Sequence, residues 1–292
     1  MTVKQARWFV KSHGGRALEQ RPVARWRVFF MRDASLAAGA GPKKYQVCSR
    51  TDKGKVRPRN EDYHAYYIPS DRDLKEKWGS LFAVSDGVGG YAGGEAASAE
   101  AVNVLLQEYY FGDHSTRLPD RLQDAFNCTA LHLFDVGHQH KGFANMQCTL
   151  TALLIRTHRY HIAHVGDSKA FLLRDGKLRQ LTKDHSLVAK LLRTGLVSAE
   201  QARNHPYKHM LLRALGGNPI TPVDMYSGNV LPDDVFCLVS DGVLEHATED
   251  ELETWLLEKG NSQTSLNRLI DCLNERGGLD NMTIMAVKAL AH

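Results

Sequence analysis

At 292 residues, with 43% apolar and 24% charged side chains, the chain is long enough to bury a sizeable core without staples, which excludes a disordered chain or a small cross-linked scaffold. The net charge of +4 sits at one end. Residues 1–44 hold ten Lys/Arg against Glu19 and Asp33, a net +8 that leaves residues 45–292 at −4. That division predicts a flexible basic extension over 1–44 and a folded body over 45–292. The mildly acidic body argues against a nucleic-acid surface. Five scattered cysteines with no C-x-x-C pair argue against a disulfide framework and point to a reducing, cytoplasmic setting. The longest apolar run of the extension, VFFM at 28–31, is far short of the roughly 20 residues of a membrane span.

From Tyr45 onward the pattern turns to strands. YQVCSRTD, DYHAYYIP and WGSLFAVSDG read as three strands, separated by a basic loop and the polar stretch DRDLKEK. Apolar residues at helical spacing predict helices over Ala92–Tyr110 and Arg121–His138. A β-rich block follows through TLTALLI, YHIAHVGD and KAFLLRDGKLRQL, with turns at Thr157-His158 and Asp175-Gly176. Leu187–Asn204 reads as a helix interrupted at Gly195, and Val223–Val243 as strands again. Helices over Glu249–Glu258 and Ser262–Arg276 and a closing strand MTIMAVKAL complete the chain. Strand groups alternating with helix pairs, with hairpin turns, predict an α+β body of two mainly antiparallel sheets packed face to face with helix pairs outside, a four-layer α-β-β-α sandwich.

Carboxylates recur where apolar strands start or stop. Asp86 ends LFAVSDG, Asp167 ends YHIAHVGD, Asp241 ends FCLVSDG and Asp280 opens DNMTIMAV. An acid at the rim of a low-dielectric core is unfavourable unless it is paired or bound to metal. If the strand ends converge, their mutual repulsion calls for cations, and an oxygen-only ligand set selects Mg²⁺ or Mn²⁺ over zinc. Paired ions would activate a water and clamp an in-line displacement. Gly87 and Gly242, just after two of the acids, would allow close approach of backbone or ligand. Among Arg50, Arg57 and Arg59 in the loop RTDKGKVRPRNEDY, Arg57 is the candidate anchor for a phosphoryl group, whose oxygens suit a planar guanidinium.

Taken together and in order, TDKGKVRPRNED, FAVSDGVGGYAGGEAAS, HVGDSKAFLLRDGKLRQLTKDHSLV, LVSDGV and DNMTIMAV resemble the metal-dependent serine/threonine protein phosphatases of type 2C, in their bacterial form. The resemblance spans about Tyr45 to Leu290. It implies a binuclear Mn²⁺/Mg²⁺ centre at one end of the sandwich: Asp86 bridging both ions, the Gly87 carbonyl on one, and Asp241 and Asp280 completing the other. Asp167, with Asp241, would fit a third, weaker ion. Arg57 would orient the phosphoryl group, while Glu61, Asp62 and Asn281 would support the ions from behind. Leu187–Leu215 would form a flap subdomain beside the site. The implied substrates are proteins phosphorylated by a serine/threonine kinase, and the implied state is a monomer.

Three positions depart from the family pattern. Val88 stands where animal members carry a histidine proposed as general acid, which leaves that role to a metal-bound water or another residue; His64 and His185 are candidates. Lys169 replaces an arginine, and Gln147 replaces a small residue. A non-catalytic member that binds phosphoproteins is therefore an alternative. Other readings fit less well. Leu191–His205 has too few basic groups late in its second segment for a helix-turn-helix reader. Ser168 lacks the glycine and following helix of a nucleophile elbow. DGVGGYAGGEAAS lacks the lysine of a nucleotide-binding loop.

Overall fold

The computed structural model describes residues 45–88, 92–139 and 146–290; the basic extension over 1–44 lies outside the described residues. The strands are β1 (Tyr45–Asp52), β2 (Asp62–Tyr67), β3 (Ser80–Val88), β4 (Gln147–Cys148), β5 (Leu150–Arg156), β6 (Arg159–Val165), β7 (Lys169–Arg174), β8 (Lys177–Gln180), β9 (Asp224–Asn229), β10 (Val235–Val239) and β11 (Met282–Ala289). The helices are α1 (Arg72–Trp78), α2 (Ala92–Phe111), α3 (Leu118–Gln139), α4 (Leu187–Arg193), α5 (Ala199–Arg203), α6 (Asp241–His246), α7 (Glu249–Glu258) and α8 (Gln263–Glu275).

The strands form two antiparallel sheets, ordered β1-β11-β10-β7-β8 and β2-β3-β5-β6-β9, with β4 added beside β3. Their side chains alternate between two apolar environments, as the two-residue period of a strand requires. On β3, Phe82 and Val84 face the opposite sheet, while Leu81 and Ala83 face α2 and α3. On β10, Phe236 and Leu238 fill the space between the sheets, while Val235, Cys237 and Val239 pack under α6, α7 and α8. Three apolar layers therefore separate four structural layers, helix, sheet, sheet and helix. This is the predicted sandwich.

Local chemistry accounts for most boundaries. Asp175 and Gly176, both with positive φ, close the β7–β8 hairpin across the Arg174–Lys177 pair. Thr248 and Glu251 form a reciprocal cap at the start of α7, and Ser262 caps α8. Two assignments differ from the sequence expectation. DRDLKEK, expected only as a polar separator between strands, forms most of helix α1: Leu74 N donates to Asp71 Oδ1 at 2.7 Å, and the buried Trp78 anchors the other end. Asp241–Val243 belongs to helix α6 instead of continuing a strand, because β10 stops at Val239 and Ser240 leaves the sheet in an extended conformation just before the helix.

Candidate active site

One end of the sandwich collects the strand-end acids. The register of β2 on β3 pairs Asp62 with Asp86, and Gly87 N donates to Glu61 O at 3.0 Å. From the other sheet, Ser240 Oγ donates to Asp62 Oδ2 at 2.7 Å and Thr283 N donates to Ser240 Oγ at 2.9 Å, so a buried hydroxyl ties the two sheets together at this point. Asp241 opens α6 directly after Ser240. Asp280 and Asn281 immediately precede β11, and Asp167 sits in the turn between β6 and β7.

Glycines permit the closeness. A Cβ on Gly87 would collide with the Gly94 carbonyl in the first turn of α2, and one on Gly242 would collide with the Asn281 carbonyl. A Cβ on Gly94 would in turn meet the Glu61 carboxylate, which places that side chain against the start of α2. Asn281 holds the loop ahead of β2. Its Nδ2 donates to Lys53 O and Arg59 O, both at 2.8 Å, and its Oδ1 accepts from Glu61 N at 2.8 Å. Arg57, carried by that loop, reaches Asp280 Oδ2 at 2.7 Å.

The electrostatics are those of crowded acids. Burial pushes the Asp62 carboxyl up to about 7, with the Ser240 and Thr283 hydroxyls opposing the shift and the charges of Asp241 and Asp280 adding to it. Burial, together with Asp62, Asp241 and Asp167, raises Asp86 well above the usual carboxylate range. Asp167 is pushed up to about 8 by burial and by Asp241 and Asp184, with Lys169 opposing. Asp241 moves the other way: burial alone would raise it, but the neighbouring His209 imidazole and the Asp86 carboxyl hold it below the usual range. Asp62 Oδ1 is buried with no hydrogen-bond partner among the described residues. A cluster of oxygens that takes up protons and leaves one oxygen orphaned fits a hard divalent cation in both charge and donor type.

Of the sequence-predicted residues, the structure brings Arg57, Glu61, Asp62, Asp86, Gly87, Asp167, Asp241, Asp280 and Asn281 to this end. The two histidines named in sequence lie elsewhere in the network. His64 bonds Ser49 Oγ at 3.0 Å and is pushed down to about 4 by burial. His185 accepts from Gly166 N at 3.0 Å and contacts Asp224 at 3.2 Å. Among the described residues, the histidine that does approach an acid of the cluster is His209, with Nδ1 at 3.7 Å from Asp241 Oδ2. It was not legible in sequence. It arrives because Leu187 N donates to Met210 O at 2.8 Å and Lys208 pairs with Glu245, which together fold residues 207–212 back over α6.

The departing positions are accommodated. Lys169 Nζ donates to Asp184 Oδ2 at 2.6 Å. Gln147 pairs with Val88 across the β3–β4 ladder, where a Cβ at Gly217 would come within 3.3 Å of its amide, so the glycine makes room for the longer side chain.

A family model described as Protein phosphatase 2C matches residues 58–286. The chain belongs to the protein phosphatase 2C family. The Serine/threonine phosphatase stp of Listeria welshimeri is 34% identical to this phosphatase over 246 residues, covering 82% of this chain and 94% of its own. The crystal structure of the Mycobacterium tuberculosis serine/threonine phosphatase PstP/Ppp superposes with a TM-score of 0.74 at 29% identity, covering 85% of this chain and 99% of that one. A PstP catalytic domain in complex with two manganese ions superposes with a TM-score of 0.72 at 28% identity, covering 85% and 99%. This phosphatase is thus an enzyme of the bacterial PPM type, and its sandwich is the fold of those relatives. No helix among the described residues is long and apolar enough to cross a membrane.

Proposed function

We propose that this phosphatase hydrolyses phosphoserine and phosphothreonine in proteins at the acid cluster, with two Mn²⁺ or Mg²⁺ ions held by Asp86, the Gly87 carbonyl, Asp241 and Asp280, and a third within reach of Asp167 and Asp241. When bound, such ions supply an activated water nucleophile and screen the charge of an in-line displacement. The observation that carries the reading is the burial of mutually repelling carboxylates beside an orphaned oxygen, in a chain of this family.

The chain's own residues divide the remaining work. Arg57 lies at the rim with its side chain 44% exposed, so it can exchange Asp280 for two phosphoryl oxygens. Asp62 presents its unpartnered oxygen from behind, with Ser240, itself held by Thr283 N, fixing its orientation. Asn281 and Glu61 lock the Arg57 loop to the start of β11 and set the distance between anchor and acids. Val88 places no ionisable side chain at the position where animal members carry a histidine, and the accommodation of Lys169 and Gln147 removes their support for a non-catalytic reading.

In this reading the working unit is residues 45–292, with residues 187–215 as a flap over the site and residues 1–44 as a dispensable extension. The protein acts as a cytoplasmic monomer on the products of a serine/threonine kinase. The test is phosphate release from a phosphothreonine peptide. Mn²⁺ should support turnover, EDTA should abolish it and Asp241→Asn should lower it at least a hundredfold, roughly the loss of one transition-state stabilising group. Turnover that persists in EDTA discards the metal mechanism.

A further inference from the structure

We propose that Glu108, His114 and Cys128 form a second metal site, suited to a zinc-like ion, at the far end of the α2–α3 helix pair. One ligand atom from each lies within 4.8 Å of the others. Glu108 stands in the last turn of α2, His114 in the connection that follows, and Cys128 inside α3. Gly94, which packs against Gly87 at the acid cluster, is 14 residues before Glu108 on α2, about 21 Å along the helix at 1.5 Å per residue. The two sites are therefore separate.

The three side chains are enclosed. The His114 and Glu108 side chains are 2% and 15% exposed, and Cys128 is 5% exposed. Nε2 of His114 lies 3.1 Å from Glu108 Oε2, which employs one ring nitrogen. Nδ1 is buried with no hydrogen-bond partner among the described residues, a vacancy that an imidazole in a protein interior rarely keeps. This orphaned nitrogen is a sign of a missing group independent of the clustering itself.

The surroundings hold the ligands in place. A Cβ on Gly112 would run into the His114 ring, so the glycine lets that ring lie against the end of α2, where Gly112 N donates to Glu108 O at 2.9 Å. Arg121 clamps the same connection: its guanidinium donates to Tyr109 O at 2.6 Å, Gly112 O at 2.9 Å and His114 O at 3.4 Å, and lies 4.1 Å from the Trp78 ring centroid. Rigid ligands on two helices and a clamped turn are what a metal site needs before the ion arrives.

Donor chemistry names the ion class. A thiolate, an imidazole and a carboxylate suit a borderline ion such as Zn²⁺, with the fourth tetrahedral position open to water, whereas the acid cluster offers hard oxygens alone. On binding, the Cys128 S–H bond breaks, a sulfur–metal bond forms and the proton leaves to solvent. Without a cation, burial and the charges of Glu108 and Asp124 push the Cys128 thiol up to about 12. The acidic setting that opposes a bare thiolate favours a dication. Such an ion would pin the end of α2 to α3.

The experiment uses the full chain stripped of metal, with Mg²⁺ in excess to fill the acid cluster and Co²⁺ as the spectroscopic probe. A thiolate-to-cobalt charge-transfer band should grow to one equivalent, vanish on Zn²⁺ addition and be absent in Cys128→Ser. It should be weakened in His114→Gln, with Mn²⁺-supported turnover of an aryl phosphate within about twofold of wild type in both variants. With Mg²⁺ present, Zn²⁺ should raise the wild-type Tm by about 5 °C and leave Cys128→Ser unmoved. Zinc should also slow maleimide labelling of Cys128 in the wild-type protein, mapped by peptide mass, which reads the contact without any substitution. No cobalt band in the wild type, a band that survives Cys128→Ser, or labelling indifferent to zinc overturns the proposal.

Discussion

Replacing Asp62 by asparagine should stabilise the metal-free protein while impairing the enzyme. The Asp62 carboxyl sits at about 7 in the fold, against an ordinary 3.8 in the unfolded chain. Its folded value lies above its unfolded value, so folding takes up a proton between those limits. Metal-free stability is therefore fully present below about pH 4, falls as pH rises toward 7 and levels off beyond it. At 1.36 kcal/mol per pH unit, the gap of 7 less 3.8 amounts to about 4 kcal/mol lost by pH 8. Asparagine keeps the acceptor for Ser240 Oγ, now at 2.7 Å from Asp62, and removes the charge facing Asp86 and Asp241. Urea unfolding in EDTA should show Asp62→Asn ahead by about 2–4 kcal/mol at pH 8 and by less than about 1 kcal/mol at pH 4. With Mn²⁺ restored, turnover of the variant should fall by about 10–100-fold, the usual loss when a group supporting a metal site is changed. A variant less stable than wild type in EDTA at pH 8 would refute the claim that burying the Asp62 charge beside other acids destabilises the metal-free fold.

Arg57→Ala should lower kcat/KM on a phosphopeptide by about 10²–10³, and Arg57→Lys should recover only part of it, because an ammonium cannot grip two phosphoryl oxygens in one plane; steady-state kinetics of the pair decide it. Arg174 donates to both oxygens of Asp234, at 2.8 and 2.6 Å, and the Asp234 side chain is 1% exposed. Arg174→Ala should therefore cost about 3 kcal/mol in denaturant unfolding by stranding that charge, with turnover at saturating Mn²⁺ unchanged. Removing residues 1–44 should leave hydrolysis of a small aryl phosphate within about twofold, as expected if the extension takes no part in the site; a collapse of turnover would mean that the extension contributes to the cleft or the core.

The layers were legible because strand alternation and helical spacing are local. Leu81 and Phe82 declare two buried faces from sequence alone, and the Asp175-Gly176 turn needs no tertiary information. The acids were legible as a group because Asp86, Asp167 and Asp241 each follow an apolar run that a carboxylate should not end. What sequence did not carry was register and return. That Asp62 lies opposite Asp86, with Ser240 bridging to it from the other sheet, depends on strand pairing across the fold. Helix α1 was hidden because its stabilisation comes from end caps, the Arg72–Glu76 pair and one buried tryptophan rather than from an apolar periodicity. Asp241 looked like the end of a strand because LVS before it is apolar, yet Ser240 turns the chain out of the sheet. His209 and the Glu108–His114–Cys128 cluster follow no local period. Both exist only after distant segments are folded onto one another.

The central claim is that folding gathers separate aspartates into one cup that divalent cations neutralise. Anomalous diffraction from a crystal grown with Mn²⁺ tests it most directly. The account predicts two strong manganese peaks bridged by Asp86, one of them beside the Gly87 carbonyl and the other beside Asp241 and Asp280. A cup without manganese at saturating concentration, or manganese bound only at other acids, would contradict it.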